Sequence, residues 1–330
     1  MGKDPAVLFC LSLFWGLLVE STGFTWLPNL RLGSKVLCIG AVMADVVCHV
    51  PKLPERGEGV VVTKRTTHLG GCAFNSAEAV RHAGYPCALL APIGCGLFAD
   101  FIRGELGRRG IEPFDVETDL DCGSCTCMVE PNGERTMVTS PGVERSVKLE
   151  WLDSFDASDC GIALASGYEI EGEGGSAILS FVEARPNLTF FYAPGPRILG
   201  VADDAEKMSR IRALRPVWHL NDLEAVQLAA HLGASAQDVE TAGFWLSREF
   251  DSVMVVTRGS QGASAFFPDG EAVHVPTEPV VPIDTVGAGD SHLGALAAAL
   301  SAGDGWEMAL GKANRMAARV CQVEGATLPA

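Results

Sequence analysis

The residues best suited to chemistry in this sequence form the run Asp284-Thr-Val-Gly-Ala-Gly-Asp290, which an alanine- and leucine-rich helical stretch follows. The small residues Gly287, Ala288 and Gly289 would let backbone N–H groups approach a phosphate closely at the positive end of that helix. Asp290 would lie in the first turn, where its carboxylate can accept a proton from a substrate hydroxyl. The run also fits a glycine-rich turn with an ordinary first-turn acid, so alone it leaves both interpretations open.

Three other patterns suggest chemistry, but each lacks a part that the chemistry requires. The segment Gly94-Cys-Gly96-Leu-Phe-Ala99 matches a dinucleotide fingerprint. It is not in the first βα unit and no clear strand-end acid follows, which disfavours a dehydrogenase. The cluster Cys122-x-x-Cys125-x-Cys127 has no second pair of ligands nearby in the sequence, which disfavours a structural zinc site. His292 stands two residues after the acid of the helical stretch, so we expect it to point elsewhere and to be buried or to contact a lid.

Alternating strand-like and helix-like segments must position these residues. Apolar, strand-like runs recur at 36–47, 161–165, 188–192, 217–220 and 253–257, with Asp45 ending the first strand. Helix-like stretches lie between them, including 75–82 and 100–109, and a hairpin-like segment at 263–275 precedes the glycine-rich run. This alternation predicts an α/β fold with a mostly parallel sheet that helices cover on both faces.

Two β-rich segments, at about 48–68 and 112–145, look like insertions that form a small second sheet. Their clearest part is a hairpin at 125–139, in which two alternating runs are joined by Asn132-Gly133. This dipeptide is typical of a tight hairpin turn because both residues tolerate a positive φ.

The bulk composition excludes some classes of partner. With 25 Lys and Arg against 41 Asp and Glu, the formal net charge is −16. Nucleic acids and anionic membranes are therefore not expected partners, and an anionic substrate must be held by local features. The 11 cysteines are odd in number and scattered through apolar runs, which indicates reduced thiols and a cytoplasmic protein.

The first 34 residues are set apart from the rest. Residues 7–19 form an apolar run of the length of a signal peptide and too short for a clear membrane span, with Asp4 in the preceding segment and no clean cleavage site after it. We interpret residues 1–34 as a dispensable extension, with an export signal or anchor as the alternative, and 35–330 as one domain that begins at Lys35.

Two long motifs resemble the ribokinase (PfkB-type) carbohydrate kinase family. The 284–290 run, continued through Gly294-Ala295, resembles the family's C-terminal signature. The run Gly70-Gly71-Cys-Ala-Phe-Asn75-Ser-Ala77, with Gly84 and Gly94 after it, resembles the N-terminal signature. The resemblance covers roughly residues 35–328. It implies a three-layer αβα sandwich with a small β-sheet lid, and ATP-dependent phosphoryl transfer to a hydroxyl of a sugar or sugar-like molecule.

The resemblance also implies roles for individual residues. The catalytic set consists of Asp290 as general base and the amides of Gly287, Ala288 and Gly289 as anion hole. The substrate-binding set is Asp45, Gly70, Gly71, Asn75, Tyr168 and Arg197. The nucleotide side comprises Asn221, Glu224, Thr257, Gly259, Gly262 and Asn314. Asn221 and Glu224 would organise Mg²⁺ through water, although their spacing alone also fits a helix capping box. Asp284 and the Val286 carbonyl, with the Gly325-Ala326 loop, resemble a monovalent-cation (K⁺) site.

Some positions depart from the family pattern. Cys72 stands where ribokinase itself has lysine, and Tyr192-Ala193 stands where sugar kinases often have an aspartate. Together with Glu-Pro-Asn-Gly-Glu-Arg135 and Asp-Ser-His292, the N-terminal run looks closest to poorly characterised bacterial sugar kinases of the family. The alternatives are a nucleoside kinase of adenosine or pseudouridine type and a catalytically weak sugar sensor. In relatives, lid strands cover the sugar and often pair into a homodimer, so both features are expected here.

Overall fold

The computed structural model of the chain describes residues 26–329, which contain fourteen strands and eleven α-helices. The strands are β1 (Lys35–Ile39), β2 (Met43–His49), β3 (Lys64–Gly70), β4 (Cys87–Leu90), β5 (Pro92–Ile93), β6 (Phe114–Asp115), β7 (Ser124–Val129), β8 (Arg135–Ser140), β9 (Cys160–Ser166), β10 (Thr189–Ala193), β11 (Val217–Asn221), β12 (Met254–Thr257), β13 (Ala263–Phe266) and β14 (Ala272–Val275). The helices are α1 (Cys72–His82), α2 (Leu97–Arg108), α3 (Leu149–Asp153), α4 (Gly167–Glu171), α5 (Gly175–Glu183), α6 (Ile198–Asp203), α7 (Ala205–Ala213), α8 (Asp222–His231), α9 (Val239–Phe250), α10 (Ala288–Ser301) and α11 (Trp306–Val320).

Eight of the strands form one sheet in the order β14-β13-β12-β11-β10-β9-β1-β4. The pairs from β12 through to β4 are parallel, whereas β13 and β14 continue the sheet as an antiparallel edge. Long helical connections between successive parallel strands allow this arrangement, because such strands cannot be joined by tight turns. The mostly parallel sheet predicted from the alternation is confirmed.

Helices pack on both faces of the sheet and form two separate cores. Every residue of β9 is buried, and its side chains alternate between the faces, with Ala163 in one core and Ile162 in the other. Phe181 of α5 lies in the first core, and Leu296 of α10 lies in the second. The strand runs are therefore continuously apolar, and the predicted three-layer αβα sandwich is confirmed.

The strands β3, β2, β7 and β8, in that order, form a separate four-stranded sheet, called the lid below. The predicted hairpin is present, since β7 and β8 are antiparallel and Val129 pairs with Arg135 across the turn. Gly133 has a φ of 87° in that turn, which a residue without a Cβ adopts at little cost. The bounds differ from those predicted: β2 begins at Met43 rather than near residue 48, and β6 pairs with β5 outside the lid.

The prediction of one strand over residues 36–47 is wrong. The chain leaves the large sheet after Ile39, turns at Gly40 and enters the lid as β2. Asp45 consequently does not end the first strand; it lies inside β2, opposite His68 of β3. Both halves of the run are apolar because β1 is buried in the large sheet and β2 has one face against the body of the protein, so composition does not mark the break.

Residues before Lys35 already belong to the packed part of the chain. Leu27 is buried within the core that contains α10 and α11, and the Gly33 amide donates to the Ser301 carbonyl at 2.8 Å. The predicted apolar run at 7–19 lies outside the described residues. Within residues 26–329, no helix combines the length and apolar character that a membrane crossing needs.

Candidate active site

A cavity of about 640 Å³ lies between the lid and the carboxyl ends of the parallel strands. Ligands typically bind at this edge in open α/β sheets, because loops and helix N-termini converge there. The predicted site residues that line it are Asp45, Gly71, Asn75, Tyr168, Arg197, Asn221, Glu224, Thr257, Asp284, Val286, Gly287, Gly289 and Asp290. Five predicted residues do not line it, namely Gly70, Ala288, Gly259, Gly262 and Asn314.

The two glycine-rich motifs meet at a direct side-chain contact. Asn75 Nδ2 donates a hydrogen bond to Asp290 Oδ2 at 2.8 Å, and Ser76 Oγ donates to the Asp290 carbonyl at 3.1 Å. Asn75 lies in the first turn of α1 and Asp290 in the first turn of α10, and these two helices pack against each other. Asn75 Oδ1 is buried without a hydrogen-bond partner and is therefore an acceptor available to a ligand in the cavity.

Two carboxyl groups in the cavity have pKa values suited to proton transfer. Burial raises the pKa of Asp290 to about 6, although hydrogen bonds from Asn75 and Cys72 oppose that rise. Burial also raises the pKa of Asp45 to about 6. Both groups are therefore mostly ionised at neutral pH, yet close enough to it to exchange a proton.

The loop before α10 brings backbone amides to the cavity. Gly287 has a φ of 76° and precedes the helix, which begins at Ala288. A Cβ on Gly287 would lie 2.2 Å from the Ala326 carbonyl oxygen, so only glycine fits between this loop and the 325–326 turn. Gly289 faces open space, and the N-terminal amides of α10 are oriented for an anion.

Asp45 reaches the same cavity from the lid. Gly70, at the end of β3, packs directly behind it: a Cβ at this position would lie 2.0 Å from Asp45 Oδ2. Gly70 therefore borders Asp45 without lining the cavity itself. Gly71 has a φ of 98° and does line the cavity, at the point where β3 turns into α1.

Asn221 and Glu224 form a complete capping box at the start of α8. Asn221 Oδ1 accepts from the Glu224 amide at 2.8 Å, and Glu224 Oε2 accepts from the Asn221 amide at 3.0 Å. The same two side chains are joined by a 2.7 Å bond from Asn221 Nδ2 to Glu224 Oε1. Burial raises the pKa of Glu224, and the hydrogen bond from the backbone amide of Asn221 opposes this rise. The capping interaction fixes both side chains at the cavity edge, beside Thr257.

The donor set at this edge fits Mg²⁺ only in a water-mediated form. Among residues 26–329 there is no group of three or more His, Cys, Asp or Glu side chains arranged to hold a metal ion. Mg²⁺ in nucleotide sites commonly keeps several waters and is bound by one or two carboxylates plus phosphate oxygens. Glu224, a carboxylate that lines the cavity, is compatible with that mode.

His292 and Asn314 belong to a buried hydrogen-bonded chain. Asn314 Nδ2 donates to the Val275 carbonyl at 2.9 Å, which leaves Oδ1 as an acceptor 3.2 Å from His292 Nε2. His292 Nδ1 then accepts from His219 Nε2 at 2.9 Å. Burial lowers the pKa of His292 to about 4, so it is neutral. His292 is buried as expected, and the Asn314 side chain is engaged internally rather than at the cavity.

Several residues of the cavity had no predicted role. Arg135, from the lid strand β8, forms an ion pair with Asp284 across the cavity. The buried Glu169 accepts the Ala41 amide at 3.0 Å and the Ser166 hydroxyl, which ties α4 to the turn after β1. Arg135 ends the Glu-Pro-Asn-Gly-Glu-Arg hexapeptide that contributes to the family resemblance, but nothing in the sequence indicates that it pairs with Asp284. Glu169 has no distinguishing signal in the sequence.

Tyr168 and Arg197 lie together at the cavity mouth. The Arg197 guanidinium lies over the Tyr168 ring, 5.0 Å from its centroid, and its Nε is 3.7 Å from Glu171. Arg145 donates to the Tyr168 carbonyl at 2.9 Å. The predicted pair thus shares one wall of the cavity, where it can contact a bound substrate.

Comparisons with known proteins identify the family. The family model described as pfkB family carbohydrate kinase matches residues 34–330. The chain belongs to the pfkB family of carbohydrate kinases. The uncharacterised sugar kinase YegV of Escherichia coli (strain K12) is 32% identical over 279 residues, which cover 84% of this chain and 86% of YegV. Ketohexokinase of Mus musculus is 25% identical over 298 residues, covering 88% and 97% of the two chains.

Solved structures show the same fold. The ribokinase of Thermotoga maritima matches with a TM-score of 0.76 at 23% identity and covers 90% of this chain and 96% of its own. A nucleoside kinase of Methanocaldococcus jannaschii matches with a TM-score of 0.72 at 18% identity, over 90% and 94% of the two chains. The predicted family, the phosphotransferase class and the ribokinase-like fold are thereby confirmed. The names of these relatives state different phosphate acceptors, so family membership alone does not identify the acceptor of this chain.

Proposed function

We propose that this pfkB kinase transfers the γ-phosphoryl group of ATP to a hydroxyl of a sugar or sugar-like molecule, with Asp290 as general base. The hydrogen bond from Asn75 to Asp290 carries this proposal, because it joins an amide with a free acceptor to a carboxylate of raised pKa at a helix N-terminus. A hydroxyl that donates to Asn75 Oδ1 would lie beside the Asp290 carboxylate.

The proposed reaction balances with these groups. Asp290 takes the proton from the acceptor hydroxyl as the hydroxyl oxygen bonds to the γ-phosphorus and the bond to ADP breaks. The amides of residues 287–289 face the charge that develops on the transferring group. Bound Mg²⁺ would supply charge neutralisation of the phosphates, and Asn221 and Glu224 are the residues that would hold its water shell.

The lining of the cavity favours a sugar over a nucleoside. Beside His68, the lid side of the cavity presents Val47, Cys125, Cys127 and Met137, and none of these five is a Phe, Tyr or Trp. Tyr168 is the sole Phe, Tyr or Trp lining the cavity in the part of the chain that the structure describes. A nucleobase would gain from stacking between aromatic rings, whereas sugar hydroxyls gain from Asp45, Asn75 and the glycine backbone. The names of YegV and ketohexokinase agree with a sugar.

An Asp290→Asn variant tests the assignment. We expect kcat for ADP release to fall by about 100-fold or more, the scale of a lost general base, while ATP affinity stays within about threefold. ADP release should be measured with a panel of sugars and nucleosides, and ATP affinity by calorimetry.

The matched control is Asp100→Asn, which alters an exposed first-turn acid of α2 outside the cavity and should leave kcat unchanged. Near-normal turnover in Asp290→Asn would contradict the role of base. Sugar binding by the native chain without turnover of any panel member would instead favour the sensor alternative.

A further inference from the structure

A lid arginine reaches the base of the glycine-rich loop. Arg135 begins β8, and its guanidinium donates to Asp284 Oδ1, a residue 149 positions away in the sequence. The Asp284 side chain is 4% exposed and that of Arg135 is 26% exposed. A buried, hydrogen-bonded ion pair of this kind is sensitive to removal of either partner, because the remaining charge stays desolvated.

The Asp284 carboxylate is engaged on both oxygens. Oδ1 also accepts the Val286 amide at 2.9 Å, and Oδ2 accepts the Gly325 amide at 2.9 Å. These bonds hold the 284–287 segment against the 325–326 turn, where Gly287 leaves no room for a side chain. Through these two bonds the carboxylate fixes the loop that presents the anion-hole amides.

This geometry does not fit the monovalent-cation site that the family resemblance implies at Asp284 and Val286. A K⁺ ion bound to the Asp284 carboxylate would stand within a few ångströms of the Arg135 guanidinium, and the two like charges would repel each other. The guanidinium already supplies the positive charge that a cation would contribute there. It differs from an ion in being attached to the lid.

We propose that the Arg135 guanidinium is the fixed cation of the Asp284 site in place of a monovalent ion. Arg135 is then a positioning residue: from the lid, it pairs with the Asp284 carboxylate and thereby holds the 284–287 loop in place. Phosphoryl transfer by this chain is accordingly independent of K⁺ and depends on the position of the lid hairpin. The inference rests on the proposed kinase function.

The lid offers a matched control in a second cation. Lys64 of β3 approaches Glu324, the neighbour of Gly325, with 3.9 Å between Nζ and Oε2. Both side chains are more than half exposed, so this pair contributes little. Lys64→Gln removes a lid charge near the same turn without touching Asp284.

The test compares the native chain with Arg135→Gln, Arg135→Lys and Lys64→Gln in KCl and in choline chloride of equal ionic strength. We expect native kcat, and that of Lys64→Gln, to differ by less than about twofold between the two salts. Arg135→Gln should lose about tenfold or more in choline chloride, because Asp284 is left buried and unpaired, and should regain activity in KCl. Arg135→Lys should retain more activity than Arg135→Gln.

Two results would overturn the proposal: a native enzyme that needs K⁺, or an Arg135→Gln enzyme with native kcat in choline chloride. A second readout separates this inference from the kinase function. KCl should raise the Tm of Arg135→Gln over that in choline chloride and leave the native Tm unchanged, since a ligand stabilises only a chain that binds it. A native Tm that rises with K⁺ contradicts the fixed cation even if no acceptor is turned over.

Discussion

At the scale of single residues, the proposed active site depends on how two carboxylates are kept reactive. Burial raises the pKa of both Asp290 and Asp45. Asp290 differs in that its carboxylate also accepts a hydrogen bond from the Asn75 side chain. A base in bulk water with the ordinary aspartate pKa of about 4 would hold a transferred proton weakly. Partial burial in the cavity strengthens the base, and the Asn75 bond keeps it oriented toward the acceptor.

The raised pKa of Asp290 predicts the acid limb of the rate profile. Because the folded-state pKa is about 6, the base is protonated below that pH and ionised above it. We expect kcat/KM to be level above about pH 7 and to fall roughly tenfold per unit below pH 6. The pKa of Asp45 is also raised to about 6. If acceptor binding requires an ionised Asp45, kcat/KM should fall more steeply than tenfold per pH unit.

Steady-state measurements from pH 4.5 to 8.5, at about half-unit intervals, would define this limb. Asp45→Asn serves as the comparison, since it removes one of the two groups and should leave a limb with unit slope. A profile that stays level down to pH 5 would show that neither carboxylate titrates near 6 in the free enzyme.

At the scale of elements, the lid does more than cover the cavity, because it carries part of the acceptor site that we propose. Asp45 of β2 and Gly70 of β3 are neighbours in the lid, and the chain passes from β3 directly into α1, which holds Asn75. The groups proposed to bind the acceptor therefore come from the lid and from the helix that follows it. Movement of the lid would shift Asp45 relative to Asn75.

The close packing of Gly70 against Asp45 predicts a selective effect on acceptor binding. In Gly70→Ala the new methyl carbon would lie 2.0 Å from Asp45 Oδ2, so the carboxylate must move. We expect the KM for the acceptor to rise about tenfold or more and the KM for ATP to change little, as lost positioning of one substrate would give. An unchanged acceptor KM would exclude Asp45 from acceptor binding.

The control for this change is Gly104→Ala. Gly104 lies within α2 and has no atom within 4 Å of a Cβ built on it. Alanine at such a helical position is accommodated and favours the helix by about 0.5–1 kcal/mol. Both KM values should therefore stay native, with equal or higher stability.

The predictability of the elements from sequence follows their environment. Strands such as β9 are buried on both faces, so their apolar runs are continuous and easily recognised. The sequence does not predict the break between β1 and β2, because both strands are apolar. They belong to different sheets, which only the tertiary structure determines. Of the site, the glycine-rich motifs could be predicted, since their backbone geometry restricts the residue type. Arg135 could not, because its partner is determined by how the lid folds over the body.

At the scale of the whole molecule, the net negative charge opposes the binding of an anionic nucleotide in the cavity. The formal charge of −16 repels a nucleoside triphosphate at long range. Binding must therefore come from local groups at the carboxyl edge of the sheet, where helix N-termini and loop amides converge. At an ionic strength of about 0.1 M this repulsion is largely screened beyond about 10 Å, so added salt reduces its effect on the approach of the nucleotide.

The segment that precedes β1 in the described part of the chain is the remaining whole-molecule feature. Residues 26–34 run along the body of the protein before β1 begins. Leu27 is 4% exposed, Trp26 Nε1 donates to Asp269 Oδ2 at 3.3 Å, and Ser301 Oγ donates to the Ser34 carbonyl at 2.9 Å. These contacts join the segment to the β13–β14 turn and to the end of α10.

A pair of truncations tests which part of the first 34 residues the domain needs. A chain that starts at Trp26 keeps these contacts and should retain native kcat and Tm. A chain that starts at Lys35 loses burial of the Leu27 side chain, worth about 2–3 kcal/mol, which corresponds to a fall in Tm of roughly 3–5 °C for a chain of this size. Leu27→Ala in the full chain should reproduce about that loss through the cavity it leaves. Equal Tm values for the two truncations would place the boundary of the domain at Lys35, and the interpretation of residues 1–34 as dispensable would then hold in full.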